Sequence, residues 1–333
     1  MKIFLLFFSL FSRLASQIKN FFYDWKLLKP QKAPLPVVSI GNIALGGTEK
    51  TPLVMEILSF LERSGEKPAL ITRGYKGRWE KKGGILSDGR TIFGTWQDSG
   101  DEPFMVAKNF PQAGVFVGGL RLQSCLKANE LGFTIAVLDD GFQHRRLVRN
   151  VDIVLHDPEE KIALRESFSS LRRADLVLIK KGIEVARIKK IRKFLAEPEV
   201  LEYSVINKGF FRLDKKEMIP AGALQGKKIL AFCGIARPQR FFSLLKEEDL
   251  EIVFSFNFPD HFSYPRSALD KIIKKYEELK PQAALTTEKD AVKIVENEKF
   301  LEFVPIYYPK IGLRLDEKFY ERIKALLQKH SNL

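Results

Sequence analysis

The stretch that decides the fold is Val37–Thr51, VVSIGNIALGGTEKT. Its first four residues, Val37–Ile40, are apolar or small and predict a buried strand. A glycine-rich turn follows, then a Lys-Thr pair and an amphipathic run that opens with Pro52, a residue that suits the first turn of a helix. Strand, glycine turn, Lys-Thr and helix, in this order, are typical of a phosphate-binding loop.

The predicted loop supplies three kinds of group that bind a nucleotide. Backbone N–H groups of the turn and of the helix start point toward an anion, and the helix dipole favours negative charge there. Lys50 would place its ammonium group beside the β- and γ-phosphates of ATP, and the Thr51 hydroxyl would ligate Mg²⁺. The predicted ATP-binding residues are Ala44, Leu45, Gly46, Gly47, Thr48, Glu49, Lys50 and Thr51.

The loop departs from the strict pattern G-x-x-x-x-G-K-[ST] at two positions. Ala44 and Glu49 stand where the pattern has glycine. Gly46 and Gly47 can still form the turn, whereas Glu49 brings a side chain and a negative charge to the place that phosphate would approach. An ordinary strand-to-helix turn with an unrelated Lys-Thr pair is the alternative, and the loop alone does not decide between the two.

Composition narrows the class of protein. A chain of 333 residues that is 45% hydrophobic is long enough for two domains with real cores. Two cysteines make no disulfide framework, which fits a reducing compartment, and no Cys/His cluster has zinc spacing. The net charge of +14 favours an anionic partner, such as phosphates, nucleic acid or an anionic membrane surface. No RNA-reading motif or helix-turn-helix signature is present, so we expect no nucleic acid partner.

The N-terminal segment Met1–Leu28 is rich in apolar and aromatic residues. Its uninterrupted apolar part, Ile3–Phe11, is shorter than the roughly 20 residues that a spanning helix needs. We expect a membrane-associated helix that dips into one leaflet, with the aromatic cluster Phe21–Trp25 at the interface. A signal peptide and a helix packed on the protein's own core are the alternatives.

Apolar runs alternate with helical patterns along the rest of the chain, which predicts an α/β fold with a P-loop-type, mostly parallel sheet and helices on both faces. The predicted organisation is a membrane-associated helix over 1–28, a kinase-like core domain over 29–203, a connector over 204–226, and a second, smaller α/β domain over 227–333.

Polar residues follow several of the predicted strands, where ligands bind in open α/β sheets. Asp139 and Asp140 follow the strand Phe133–Leu138 and resemble a Mg²⁺ site of the Walker-B type, although an Asp-Asp-Gly turn is the plainer interpretation. Gln143 and His144 come just after them. Four polar side chains thus gather at one strand end, which favours a site.

Two further positions carry candidate site residues. Arg73 follows the predicted strand Pro68–Thr72 and could bind phosphate or be a solvated loop charge. Asp101 and Glu102 precede a helix predicted from Phe104. Adjacent carboxylates at a helix start are commonly caps, but one of them could serve as a base near a bound phosphate.

Several motifs together resemble one family, the tetraacyldisaccharide 4′-kinases of lipid A biosynthesis. They run in order along most of the chain: SIGN at 39–42, GGT at 46–48, KTP at 50–52, TRGY at 72–75, GDEP at 100–103, DDGFQH at 139–144, LRE at 164–166, RAD at 173–175, AFCGIA at 231–236, FPDH at 258–261 and TTEKD at 286–290. The resemblance implies transfer of the ATP γ-phosphate to the 4′-hydroxyl of an acylated glucosamine disaccharide lipid. It also implies a location at the cytoplasmic face of the bacterial inner membrane.

The resemblance also implies roles for individual residues. Asp101 is the expected base for the 4′-hydroxyl, with His261 from the second domain as its partner across the domain cleft; Lys50 and the turn hold ATP; Thr51, Asp139 and Asp140 hold Mg²⁺. The candidates for contacting phosphate or the lipid headgroup are Arg73, Glu102, Arg121, Gln143, His144, Arg172 and Arg173. For each arginine alone, a surface salt bridge is an equal alternative.

Glu49 is the position that fits the resemblance least, because glycine is expected there. Two other functions therefore stay open from the sequence. A P-loop regulatory NTPase would share the loop and the aspartates but would not need the N-terminal apolar helix. A weakly active, membrane-bound nucleotide-binding module would tolerate Glu49 more easily.

Overall fold

The computed structural model of the chain describes residues 18–44, 49–156, 164–182 and 199–331. The described residues form two compact units. Unit 1 takes its residues from Met1–Ser99, Val106–Val205 and Leu313–Leu333, and unit 2 from Gly100–Met105 and Ile206–Gly312.

Strands and helices alternate through both units. The strands are β1 Val37–Asn42, β2 Pro68–Thr72, β3 Gly84–Asp88, β4 Gly114–Val117, β5 Ile135–Asp139, β6 Val151–His156, β7 Leu176–Lys180, β8 Glu199–Arg212, β9 Glu217–Ile219, β10 Lys228–Cys233, β11 Glu251–Asn257, β12 Ala283–Leu285 and β13 Ile306–Leu315. The helices are α1 Lys50–Arg63, α2 Trp79–Lys82, α3 Trp96–Ser99, α4 Asp101–Asn109, α5 Arg121–Glu130, α6 Pro238–Glu247, α7 Arg266–Leu279, α8 Glu288–Ile294, α9 Glu298–Phe303 and α10 Glu317–Ser331. Single 3₁₀ segments span Phe168–Arg173 and Ala221–Leu224.

The sheet of unit 1 has the strand order β8-β7-β6-β1-β5-β2-β4-β3. Neighbouring strands are parallel except at the edge, where β3 runs antiparallel to β4. Strand β1 lies between β5 and β6, and all six of its residues are buried. Continuous apolar burial is what a parallel sheet with both faces covered requires. The mostly parallel sheet predicted from the sequence is confirmed.

Helix α1 shows how the sequence builds one layer on this sheet. Leu53, Val54, Ile57, Leu58 and Leu61 recur at helical spacing and are all buried. Gly65, with φ of 84°, follows the end of the helix, where a left-handed residue is favoured. Helix α1 begins at Lys50 and so follows β1, which ends at Asn42, with the predicted loop between them.

The sheet of unit 2 contains β11, β10, β12 and β13 in this order, and the pairs from β11 through β13 are parallel. Alternate residues of β10 belong to different cores: Leu230 and Phe232 pack in one cluster, whereas Ile229 and Ala231 pack in another. Both faces of this sheet are therefore covered, as in unit 1.

Three features differ in detail from the sequence expectations. Residues 204–212 of the predicted connector continue the long strand β8. The helix expected from Phe104 begins at Asp101, so that both carboxylates lie in its first turn. The last helix, α10, belongs to unit 1, although the sequence placed it with the C-terminal domain.

The predicted N-terminal membrane-associated helix falls mostly outside the described residues, which begin at residue 18. Residues 18–24 are helical. Within the described ranges, no helix has both the length and the apolar character needed to cross a membrane.

Candidate active site

Lys50 and Asp140 form the centre of a charged cluster in unit 1. Lys50 Nζ lies 3.1 Å from Oδ1 of Asp140 and donates a hydrogen bond of 3.4 Å to Oδ1 of Asn42. Arg165 Nη1 lies 2.7 Å from the other carboxylate oxygen of Asp140. Burial opposes ionisation, but the two cations hold the pKa of Asp140 well below its usual range. Asp140 is therefore ionised beside the start of α1.

Arg165 is a member of this cluster that was not among the predicted site residues. Its backbone N–H donates a hydrogen bond of 2.7 Å to the carbonyl of Ile43, and Leu164 bridges to Ala44. These two contacts hold residues 164–166 against the residues that follow β1. The Arg165 guanidinium is thereby directed toward Asp140. The only sequence signal was the LRE motif.

Asp139 ends β5 and faces residues from neighbouring strands. Thr72 Oγ1, at the end of β2, donates a hydrogen bond of 3.1 Å to Oδ2 of Asp139. Arg121 Nη2 donates to the carbonyl of Asp139 at 3.5 Å, and its Nη1 donates to the carbonyl of Gly118 at 2.7 Å. Because β2 and β5 are parallel neighbours, their carboxyl ends meet at one edge of the sheet.

The predicted Mg²⁺ ligands are Thr51, Asp139 and Asp140. Their donor atoms are hydroxyl and carboxylate oxygens, the ligand type that Mg²⁺ prefers. Thr51 lies in the first turn of α1; Asp139 is the last residue of β5, the strand that neighbours β1, and Asp140 follows it. The residues present therefore fit a magnesium ion, and this role stays a prediction.

Gln143 and His144 lie in the loop that follows these aspartates. Gln143 Nε2 donates a hydrogen bond of 2.8 Å to the carbonyl of Asn42. His144 lines a cavity of about 180 Å³ together with Arg121 and Arg146. Burial, and then the charge of Arg121, lower the pKa of His144 to about 4, so the imidazole is neutral at pH 7.

The remaining candidate arginines have different surroundings. Arg173 donates to the buried carboxylate of Glu166, and its guanidinium lies 4.4 Å from the ring centroid of Phe142. Arg73 Nε lies 2.8 Å from Oε1 of Glu80, and the Arg73 side chain is mostly exposed. Arg73 therefore forms the surface salt bridge that was the alternative to a phosphate contact. Arg172 is exposed. Arg121 and Arg173 are therefore the two of these four that lie in buried networks.

Glu49 is accommodated without a glycine-like backbone. Its φ of −63° is ordinary for an L-residue. Its Oε2 accepts a hydrogen bond of 3.2 Å from the hydroxyl of the buried Tyr203 in β8. The neighbouring loop residues Leu45, Gly46, Gly47 and Thr48 lie outside the described residues.

A second cluster lies in unit 2 and is centred on Asp101, at the first turn of α4. His261 Nδ1 lies 2.9 Å from Oδ2 of Asp101, and the N–H of Glu102 donates to Oδ1 at 3.0 Å. Burial would raise the pKa of Asp101, but His261 and then Lys293 hold it well below its usual range. An ionised carboxylate only accepts hydrogen bonds, so Nδ1 of His261 carries the proton.

Two lysines and an aspartate that were not predicted as site residues lie next to this pair. Lys293 Nζ lies 3.3 Å from Oδ2 of Asp101 and 3.1 Å from Oδ1 of Asp290, and its side chain is 1% exposed. Lys289 pairs with Glu102, the remaining predicted candidate. Lys289 and Asp290 stood in a quoted motif, but Lys293 carried no signal beyond its spacing from Asp290.

The chain matches the model of a known protein family over nearly its whole length. The family model described as LpxK, tetraacyldisaccharide-1-P 4′-kinase, matches residues 1–328.

The chain belongs to this family.

The tetraacyldisaccharide 4′-kinase of Syntrophus aciditrophicus is 33% identical over 345 residues, which cover 97% of this chain and 92% of that protein. The tetraacyldisaccharide 4′-kinase of Chlorobaculum parvum is 36% identical over 86% of this chain and 82% of its own length. The predicted family is therefore confirmed.

A solved structure supports the fold. The crystal structure of LpxK from Aquifex aeolicus in complex with ATP has a TM-score of 0.76 and 26% identity to this chain, and covers 98% of this chain and 99% of its own. The predicted fold class is confirmed, although the membrane association of the N-terminal helix is not. The chain is an ATP-dependent kinase of the LpxK family.

Proposed function

We propose that this kinase transfers the γ-phosphate of ATP to the 4′-hydroxyl of a tetraacylated glucosamine disaccharide 1-phosphate, a step of lipid A biosynthesis. The observation that carries the proposal is the family match over residues 1–328. The two clusters described above give it chemistry, because one suits a nucleotide phosphate and the other suits a hydroxyl proton.

ATP binds at the start of α1. Lys50 exchanges its contact with Asp140 for the β- and γ-phosphates, and the amides of the turn and of the first helical turn donate to phosphate oxygens. Thr51, Asp139 and Asp140 would hold Mg²⁺, which neutralises phosphate charge when bound. Arg165 keeps Asp140 paired and ionised while Lys50 turns away.

Asp101 accepts the hydrogen bond of the 4′-hydroxyl and takes its proton as the oxygen bonds to the γ-phosphorus. The bond from that phosphorus to the β–γ bridging oxygen breaks at the same time, and ADP leaves. Phosphoryl transfer depends mainly on positioning and charge stabilisation, so a carboxylate with a low pKa is sufficient if it orients the nucleophile. His261 orients that carboxylate through the hydrogen bond to Oδ2. Arg73, Arg121, Arg172 and Arg173 stay candidates for contact with the anionic acceptor.

Contact with an anionic membrane surface at the cytoplasmic face of the bacterial inner membrane is the second part of the proposal. Lys19 donates to the carbonyl of Gln143, and Asn20 donates to Glu166, so the polar side of the segment 18–24 rests on the protein. Apolar side chains of the same region are exposed: Ile18, Phe21, Phe22, Trp25, Leu27 and Leu28. An amphipathic segment of this kind lies at a lipid interface.

Transfer of labelled phosphate from ATP to a defined tetraacyldisaccharide 1-phosphate tests the proposed reaction. We expect label in the lipid, at the 4′ position, and loss of transfer in the Lys50→Met variant. Hydrolysis of ATP with no label in the lipid would overturn the proposal in favour of a regulatory NTPase. Binding of ATP with neither activity would favour a nucleotide-binding module.

Flotation with anionic vesicles tests the membrane contact. Trp25 is 69% exposed, and its replacement by Ser should weaken binding by about 10- to 100-fold, since burying a large apolar side chain contributes about 1.5–3 kcal/mol. Phe303→Ser, at an aromatic residue of unit 2 that is 59% exposed, is the control and should bind as the parent does. Equal binding of all three proteins would argue against this region as the contact.

A further inference from the structure

Helix α8 carries two fully buried charges on one face. Asp290 and Lys293 are three residues apart, their charged atoms are 3.1 Å apart, and their side chains are 0% and 1% exposed. Burying charges costs free energy unless their partners are well placed. The partners of this pair are the two residues of the Asp101–His261 cluster, one reached directly and one through the backbone.

Lys293 reaches Asp101 directly. Its Nζ lies 3.3 Å from Oδ2, the same oxygen that accepts the hydrogen bond of His261. The other oxygen of Asp101 accepts from the backbone N–H of Glu102. The carboxylate is thus fixed in position by donors on both of its oxygens.

Asp290 reaches His261 through one intervening residue. Its Oδ2 accepts a hydrogen bond of 2.9 Å from the N–H of Gly234, and the carbonyl of Gly234 accepts one of 3.0 Å from the N–H of His261. A Cβ at Gly234 would lie 2.9 Å from Cβ of Phe262 and 3.1 Å from the carbonyl oxygen of Pro259, so this approach needs glycine.

The backbone of His261 also needs support. Its φ of 64° is in the left-handed region, which a histidine adopts at a cost that its surroundings must offset. Thr287 Oγ1 donates to Oδ2 of Asp290 at 2.7 Å and so orients the carboxylate that holds Gly234. The chain of contacts from α8 to His261 is therefore continuous.

We propose that Asp290 and Lys293 are positioning residues that hold Asp101 and His261 in register from a single helix. The proposal rests on the proposed kinase function, because it assigns what supports the pair that handles the acceptor hydroxyl. Asp290 fixes the backbone of His261, and Lys293 fixes both the orientation and the charge of Asp101. Neither residue touches substrate.

Loss of Lys293 should change the pH dependence of kcat in a way that loss of a merely structural residue would not. The titratable groups around the pair are Lys289, Asp290 and Lys293 on α8, Glu102 on α4, and Asp260 next to His261. Removing Lys293 takes away a cation that opposes the effect of burial, so the pKa of Asp101 rises toward its ordinary range. The kcat of the variant then falls at acidic pH, over a range in which the kcat of the parent does not change with pH.

The test compares Lys293→Met, Lys293→Arg and Asp290→Asn with the parent in the lipid transfer assay. We expect Lys293→Met to lower kcat by about 10²-fold, as for loss of acid–base function, with KM for ATP unchanged, and to show the fall of kcat at acidic pH. Lys293→Arg restores the charge and should restore the parental profile. Lys310→Met is the matched control, because it removes a lysine that pairs with Glu288, another acidic residue of the same helix.

A measurement independent of catalysis keeps the test open if Lys293→Met does not fold. The chain has four histidines, so ¹⁵N-histidine labelling gives a resolvable NMR spectrum. Asp290→Asn should shift the ring signals of His261 alone, and Lys310→Met should leave them unchanged. Unshifted His261 signals in Asp290→Asn, or a parental pH profile in folded Lys293→Met, would overturn the proposal. If the proposed function is wrong, the parent will transfer no phosphate to the lipid, while Asp290→Asn will still shift the His261 signals.

Discussion

Glu166 offers the sharpest test of how unit 1 is held together. Its side chain is 2% exposed and accepts a hydrogen bond from Arg173, and its Oε2 also accepts one of 3.0 Å from Asn20 in the helical segment 18–24. The perturbation is Glu166→Ala. It removes the carboxylate and leaves the guanidinium of Arg173, which is 17% exposed, without its anionic partner.

The expected cost follows from this burial. Removing one member of a buried ion pair lowers the free energy of unfolding by about 3–5 kcal/mol, because the other charge stays desolvated. The control is Glu130→Ala, whose partner Lys127 lies 3.0 Å away but whose two side chains are 61% and 58% exposed. An exposed ion pair of this kind contributes about 0–1 kcal/mol to the free energy of unfolding.

Tryptophan fluorescence during urea unfolding measures the difference within unit 1. The chain has three tryptophans, Trp25, Trp79 and Trp96, and all of them belong to unit 1. The transition therefore reports this unit separately, which matters because a chain of two units need not unfold in one step. Equal loss of stability in Glu166→Ala and Glu130→Ala would refute the reasoning that burial sets the cost.

Three further predictions concern the active site. Asp101→Asn should lower kcat by about 10²–10⁴-fold with KM for ATP unchanged, and an undiminished kcat in steady-state assays would exclude Asp101 as the base. Glu49→Gly should change the Kd for ATP by no more than about fivefold in calorimetry, because Tyr203 already holds the carboxylate; a larger gain would show that Glu49 repels phosphate. Stability should fall as the pH drops from 6.5 to about 4, because unfolded His144 binds a proton that the folded imidazole does not. Unfolding of His144→Asn across this range should show a shallower slope, and an unchanged slope would assign the effect elsewhere.

Much of the fold could be predicted because its patterns are local. The buried strand before the loop and the apolar face of α1 appear as continuous or helical runs of apolar residues. The position of Asp139 and Asp140 also followed, because carboxylates after a parallel strand must lie at the edge where ligands bind. The connector predicted over 204–226 shows the limit of such patterns. Residues 204–212 continue strand β8, whose burial varies along its length and gives no clean alternation.

The sequence by itself determined most of the order of strands and helices, since each element depends on neighbours within a few positions. In the same way it predicts the phosphate loop and the residues of the site. Only the tertiary structure decided several contacts between side chains that are distant in the chain. The contacts of Arg165 with Asp140, Lys293 with Asp101, and Tyr203 with Glu49 join residues from separate elements. Their distances are set by how those elements pack, and no local pattern encodes that packing, so these contacts could not be predicted from the chain alone.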